Sequence, residues 1–185
     1  IIAEEDNNKK RSVVFITSEF DKIKKHNHKM IFDLANFYKS SKDYENAIKY
    51  YSKVIEDLDD YNIIKADVLY RRGGSYERIG EYEKSDKDLL MSLNIEPNDA
   101  YVLNYLAYSW LERDYKIDEA LDMLKVAYEL ESNDPYIIDS IGWAYYLIED
   151  YSKAEKFLRR AVELMPEDPI VNDHYGDILW KLNQK

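Results

Sequence analysis

The chain contains no cysteine. Disulfide frameworks, zinc–thiolate sites and thiol catalysis are therefore excluded, while the compartment stays open, because cysteine-free chains suit both cytosol and periplasm. Glycine and proline are scarce, at 5 and 4 of 185 residues. Hairpin turns and long loops depend on them, so their scarcity favours an all-helical chain. No apolar run reaches the ~20 residues that a membrane-spanning helix needs, so direct membrane insertion of this segment is not expected. Positive charge is in the minority, with 26 Lys and Arg against 37 Asp and Glu, a net charge of -11. Such a field repels a nucleic-acid backbone and favours a neutral or basic partner. No signal-peptide pattern is visible, and the chain begins with Ile1 rather than Met, which leaves room for a leader outside this segment.

What the chain does contain is a repeat of about 34 residues, a period that signals stacked supersecondary units. Small residues recur at three places: Ala35, Gly73, Ala107, Gly142 and Gly176; then Ala47, Ser85, Ala120 and Ala154; then Val54, Ser92, Ala127 and Ala161. Small side chains at these places let two antiparallel helices approach closely. Larger residues fill the space around them, such as Leu34, Tyr38, Tyr51, Leu106, Trp110, Leu124, Ile141, Tyr145 and Leu158. Their spacing of three and four identifies helices rather than strands. Pro97 and Pro166 fall where second helices should end, since proline cannot continue a helix.

This pattern resembles the tetratricopeptide repeat, a helix–turn–helix unit. The resemblance implies an all-α, right-handed superhelical solenoid of antiparallel helix pairs. Four units are expected at 28–61, 66–99, 100–134 and 135–168. Residues 62–65 form an insertion that lengthens a helix, and 169–185 form the first helix of a further repeat or a capping helix. Residues 1–27 read as a partial, degenerate repeat, with Val13, Ile16, Phe20 and Ile23 as its stripe and Asp6-Asn7-Asn8 as a turn. Departures include Arg72 in a slot usually filled by Leu, one extra residue near Tyr115, and Asp59 and Ser132 in place of a terminal proline. The last units, with Asp139-Ser140-Ile141-Gly142-Trp143 and Asn172 to Asp177 followed by Trp180, are similar to those of alphaproteobacterial repeat proteins. That likeness implies a bacterial source and a periplasmic or envelope-associated site, with the cytoplasm as the alternative.

In this family the first helices line a concave groove. The third unit then offers Asn104 and Tyr108, the fourth offers Tyr136, Asp139, Trp143 and Tyr146, and the last helix offers Asp173, Asp177 and Trp180. Aromatic anchors bury much area at little entropic loss, and Asp or Asn can hold a peptide backbone or a basic side chain. The competing reading packs the same aromatics between neighbouring first helices, as aromatic stripes at helical spacing commonly do. Some family members grip a terminal carboxylate between paired cations; here Phe32, Asn36 and Arg71 face the comparable groove, and two cationic places are missing.

Catalytic readings find little support. His26, His28 and His174 are the only histidines; the first two flank a turn where solvated rings are expected, and His174 is set aside as pointing away from Asp173 and Asp177. No nucleophile triad, phosphate loop or nucleotide fingerprint is present, and no face gathers enough ligands for a metal. The sequence thus reads as a non-catalytic scaffold, without metal or cofactor, that binds a protein or peptide in an aromatic and acidic groove. The alternatives are a self-assembly module pairing through exposed half-repeats into a homo-oligomer, and the recruiting arm of a larger enzyme.

Overall fold

The computed structural model describes residues 2–23, 27–59 and 62–183. They form two compact units, 1–96 and 97–185. The first contains α1 (Ile2–Asp21), α2 (His28–Ser40), α3 (Tyr44–Glu56), α4 (Ile63–Arg78) and α5 (Tyr82–Ile95). The second contains α6 (Ala100–Leu111), α7 (Ile117–Leu130), α8 (Pro135–Leu147), α9 (Tyr151–Leu164) and α10 (Pro169–Lys181). Among the described residues there is no strand, so the all-α helical-repeat class is correct. No helix is long and apolar enough to cross a membrane among the described residues.

Local chemistry starts and stops these helices. Asn27, Asp43, Asn62, Asp99, Asp134, Asp150 and Asp168 each place a side-chain oxygen on backbone N–H groups of the following first turn. Those donors have no partner within the helix, and such a cap is typically worth about 1 kcal/mol. Pro135 and Pro169 open α8 and α10, where the missing N–H costs nothing. The turns inside the helix pairs share one device. A residue with positive φ precedes the next helix: Lys42 at 61°, Gly80 at 77° and Glu149 at 64°. The third turn uses two such residues, Asp114 and Lys116, and so accommodates its extra residue. Asn183, after α10, repeats the conformation at 54°.

The small repeat positions lie at the helix crossings. Ala35, Ala47, Ala107, Ala120, Ala127, Ala154 and Ala161 have no solvent exposure. A Cβ built on Gly142 would meet Leu158 Cγ at 2.8 Å and the Leu158 backbone nitrogen at 3.1 Å, so α8 and α9 approach at a distance only glycine permits. Gly176 differs: no atom among the described residues lies within 4 Å of the equivalent point.

Three expectations at the ends of the chain are corrected. Asp6-Asn7-Asn8 form no turn, because α1 runs unbroken from Ile2 to Asp21; the turn preference of Asp and Asn is worth only a fraction of a kcal/mol per residue against continued helix. Ile23 follows the helix instead of lying in it, and His26 lies outside the described residues. Val13, Ile16 and Phe20 are not left without a partner. They pack on the core of α2 and α3, where Phe20 meets Tyr50 edge-on and Thr17 shares a hydrogen bond with the Tyr38 hydroxyl. At the other end Ile178 is fully buried, and Val171 packs with Ile138 and Ala161.

Candidate functional site

In the second unit α8 packs against both α6 and α10, which brings these three helices side by side. Position along each helix then decides what faces the same space. Asn104 and Tyr108 come from α6, Tyr136, Asp139 and Ser140 from α8, and Ile170 and Val171 from α10, with its cap Asp168. Together they line a pocket of about 140 Å³. Four of the residues expected in the groove therefore converge: Asn104, Tyr108, Tyr136 and Asp139.

Their environments differ sharply. Tyr136 is 54% exposed at the mouth of the pocket. Asp139 is only 4% exposed, contrary to the expectation that it stands free in a groove. Its Oδ2 is 2.9 Å from Nδ1 of His174, itself buried on α10. A carboxylate can only accept, so the imidazole Nδ1–H donates to it. His174 escaped sequence reasoning because it was judged against its neighbours Asp173 and Asp177. Its partner lies 35 positions away on α8, and the repeat gave no signal for it, because the 34-residue period puts Asp173 and not His174 in the register of Asp139.

The same imidazole stacks on Trp143 with centroids 4.2 Å apart and planes 13° apart. Trp143 stacks in turn on Tyr146 at 4.7 Å and 8°. Tyr108 approaches His174 from α6 at 6.3 Å. Trp143 and Tyr146 thus belong to a stack joining α8 to α10 and do not line the pocket, so for this pair the packing reading of the aromatic stripe describes the geometry. Burial, then the charges of Glu112 and Asp139, push the Tyr108 phenol well above its ordinary range and hold it protonated. Asp173 and Asp177 are exposed and outside the pocket, and Trp180 is 76% exposed.

The first unit presents a different surface. Arg71 Nε donates to both oxygens of Asp67, at 2.9 and 3.0 Å, and its guanidinium lies over Phe32. Tyr51 donates to Asn36 at 2.6 Å. Burial and then the charge of Arg71 depress the Lys39 ammonium. His28 is solvent-facing beside Asp57, as expected of a turn histidine. Among the described residues no three potential ligands cluster for a metal.

The arrangement is that of a helical-repeat scaffold: paired helices with buried small residues at each crossing, and first helices that share a lined face. Residues 28–56, 66–99 and 137–168, just over half of the chain, match the family model of the tetratricopeptide repeat. The chain belongs to the tetratricopeptide repeat family. It is 32% identical over 111 residues to the TPR repeat-containing protein PA4667 of Pseudomonas aeruginosa, a match that covers 60% of this chain and only 19% of that relative. Among solved structures it is similar to MamA 41-end from Desulfovibrio magneticus RS-1, with a TM-score of 0.73 at 18% identity, covering 85% of this chain and 86% of that one. It is also similar to the first TPR of Spaghetti (RPAP3) bound to HSP90 peptide SRMEEVD, with a TM-score of 0.60 at 20% identity, covering 66% of this chain and 96% of the other.

Proposed function

We propose that this chain is a non-catalytic scaffold whose second unit binds a protein or peptide along the first helices α6, α8 and α10. The carrying observation is the pocket between those helices, with Tyr136 exposed at its mouth and the buried carboxylate of Asp139 at its wall. An exposed apolar row runs from beside the pocket into its lining: Tyr101 on α6, Tyr136 on α8 and Ile170 on α10, each at the second position of its helix. Such a row suits a ligand that crosses successive helices, with side chains anchored at intervals. The RPAP3 neighbour holds a peptide on the same kind of fold, which supports the class of ligand and not its sequence. In this reading Asn104, Tyr108, Tyr136 and Asp139 form the inner contact, and Asp173, Asp177 and Trp180 extend it along α10. Trp143 and Tyr146 hold the helices that carry them. The net charge of -11 favours a basic partner.

Affinity capture from the source organism, with the full chain as bait, tests this reading. Partners retained by the native chain should be lost from a Tyr101→Ala, Tyr136→Ala double variant that melts like the native chain. Retention of every partner by that variant would move the binding surface elsewhere.

A further inference from the structure

Asp139 uses only half of its carboxylate. Oδ2 accepts from His174, but Oδ1 is buried and has no partner among the described residues. Asn104 Oδ1, on the neighbouring helix α6, is likewise buried and unpartnered. Both side chains line the same pocket. A carboxylate oxygen withdrawn from water and left unpaired is costly, and buried polar groups are otherwise almost always satisfied. Two unsatisfied acceptors on residues that line one cavity leave room for a donor that comes from outside the chain.

The lining decides the charge of that donor. It includes two carboxylates, Asp139 and Asp168, and neither Lys nor Arg. Asp168 Oδ1 is occupied in capping α10, yet its charge remains at the rim. The raised phenol of Tyr108 reports burial first and then negative charge from Glu112 and Asp139. A neutral amide would gain only hydrogen bonds here, whereas a cation gains charge-assisted ones. Tyr108 and Tyr136 supply aromatic faces for a cation, and Ile170 and Val171 supply apolar surface for a methylene stem.

We propose that this pocket takes the cationic end of a lysine or arginine side chain of the bound partner, which donates to Asp139 Oδ1 and Asn104 Oδ1. This assignment rests on the groove reading above and gives it a chemical specificity: the partner presents a basic residue where its chain crosses α8.

The test uses the full chain and four small probes. n-Butylammonium and n-propylguanidinium imitate the two side chains; n-butanol and butyrate are the neutral and anionic controls. Nuclear magnetic resonance follows the Asn104 side-chain amide and the Asp139 backbone amide during titration. Both cations should give saturable shifts, at least about tenfold tighter than n-butanol, and about tenfold weaker in Asp139→Asn and in Asn104→Ala. Asn104→Ala leaves the Asp139–His174 pair in place, so it remains informative if Asp139→Asn loosens the fold. The proposal is overturned by equal affinity for n-butanol, by preference for butyrate, by unchanged affinity in both variants, or by no cation binding into the tens of millimolar. If the cations fail while capture still depends on Tyr101 and Tyr136, the groove stands and only its cation specificity is wrong. If the cations bind but capture ignores those tyrosines, the groove reading fails, and with it the assignment to a partner side chain.

Discussion

Arg72 on α4 and Asp88 on α5 form a two-pronged ion pair, Nε to Oδ2 at 2.6 Å and Nη2 to Oδ1 at 2.8 Å. The third prong, Nη1, donates to Ser52 on α3 at 2.9 Å. The Asp88 side chain is only 4% exposed and that of Arg72 17%. Burial alone would pull the guanidinium down, but the hydrogen bonds and charge of Asp88 raise it. Removing one partner strands the other charge, which typically costs about 3–5 kcal/mol, whereas replacing both with apolar residues is often neutral. Arg72→Leu and Asp88→Leu should therefore each destabilise strongly, and the double variant should recover most of the loss in urea unfolding. Single variants within about 1 kcal/mol of the native chain would show that the pair is not closed in solution.

How far the sequence went can be judged from such residues. Ala35, Gly142 and Ala154 announced their crossings, because a helix pair has one closest point and the repeat prints it several times. Arg72 was visible as a departure, but not its partner. Complementary charges on different helices leave no periodic trace, since the pairing depends on how α4 and α5 are rotated against each other. Asp139 and His174 were hidden for the same reason. Each was placed on a helix that the structure contains, yet burial depends on what the adjacent helix presents. Tyr136 and Asn104 were legible as pocket residues because register along a helix was enough to place them.

Gly142 and Gly176 occupy the same repeat position and should respond oppositely to alanine. Alanine favours a helix by about 1 kcal/mol over glycine. At Gly176 that gain should appear undiminished, because a Cβ there meets no atom within 4 Å among the described residues. At Gly142 the new methyl would stand 2.8 Å from Leu158 Cγ and Cδ2, and overpacking of this kind typically costs about 1–3 kcal/mol. Gly176→Ala should raise the melting temperature and Gly142→Ala should lower it. Ala154→Leu, at a crossing with no exposure, should lower it further. Stabilisation by both glycine substitutions would mean that α8 and α9 are less closely packed than described.

The His174–Asp139 pair should matter for stability independently of any ligand. His174→Phe keeps a ring against Trp143 but removes the donor to Asp139, leaving both carboxylate oxygens unpaired. Loss of a hydrogen bond to a buried charged group costs about 1.5–3 kcal/mol. His174→Asn, whose amide can reach toward Oδ2, should recover part of it. Addition of Asp139→Leu to His174→Phe should also recover stability, since no charge is then stranded. If His174→Phe unfolds at the same urea concentration as the native chain, the imidazole is not the partner that makes burial of Asp139 tolerable.

Binding and folding should separate along the aromatic stripe. Trp143 touches both His174 and Tyr146 and joins α8 to α10, so Trp143→Ala removes packing as well as any contact. It should lower stability by about 1–3 kcal/mol, less than for a fully buried ring, because Trp143 is only half-buried. A loss of capture by that variant would therefore say little about contact. Tyr136 gives the clean measurement. It is 54% exposed, and among the described residues its ring makes no stacking contact with another aromatic. Tyr136→Ala should leave the melt within about 0.5 kcal/mol of native, the usual range for surface changes. Its effect on capture should reach about 2 kcal/mol if it is an anchor, the threshold that marks a hot spot. Asp173→Asn with Asp177→Asn, both at exposed sites, should cost less and should flatten the salt dependence of capture. Trp180→Ala reports how far the partner extends along α10, because that ring is 76% exposed. Suppose capture falls with Tyr136→Ala but not with Trp180→Ala. The partner then ends at the pocket, and its basic residue lies close to the end of the bound segment. Full capture by both variants, with folding intact, would remove these first helices as the binding surface.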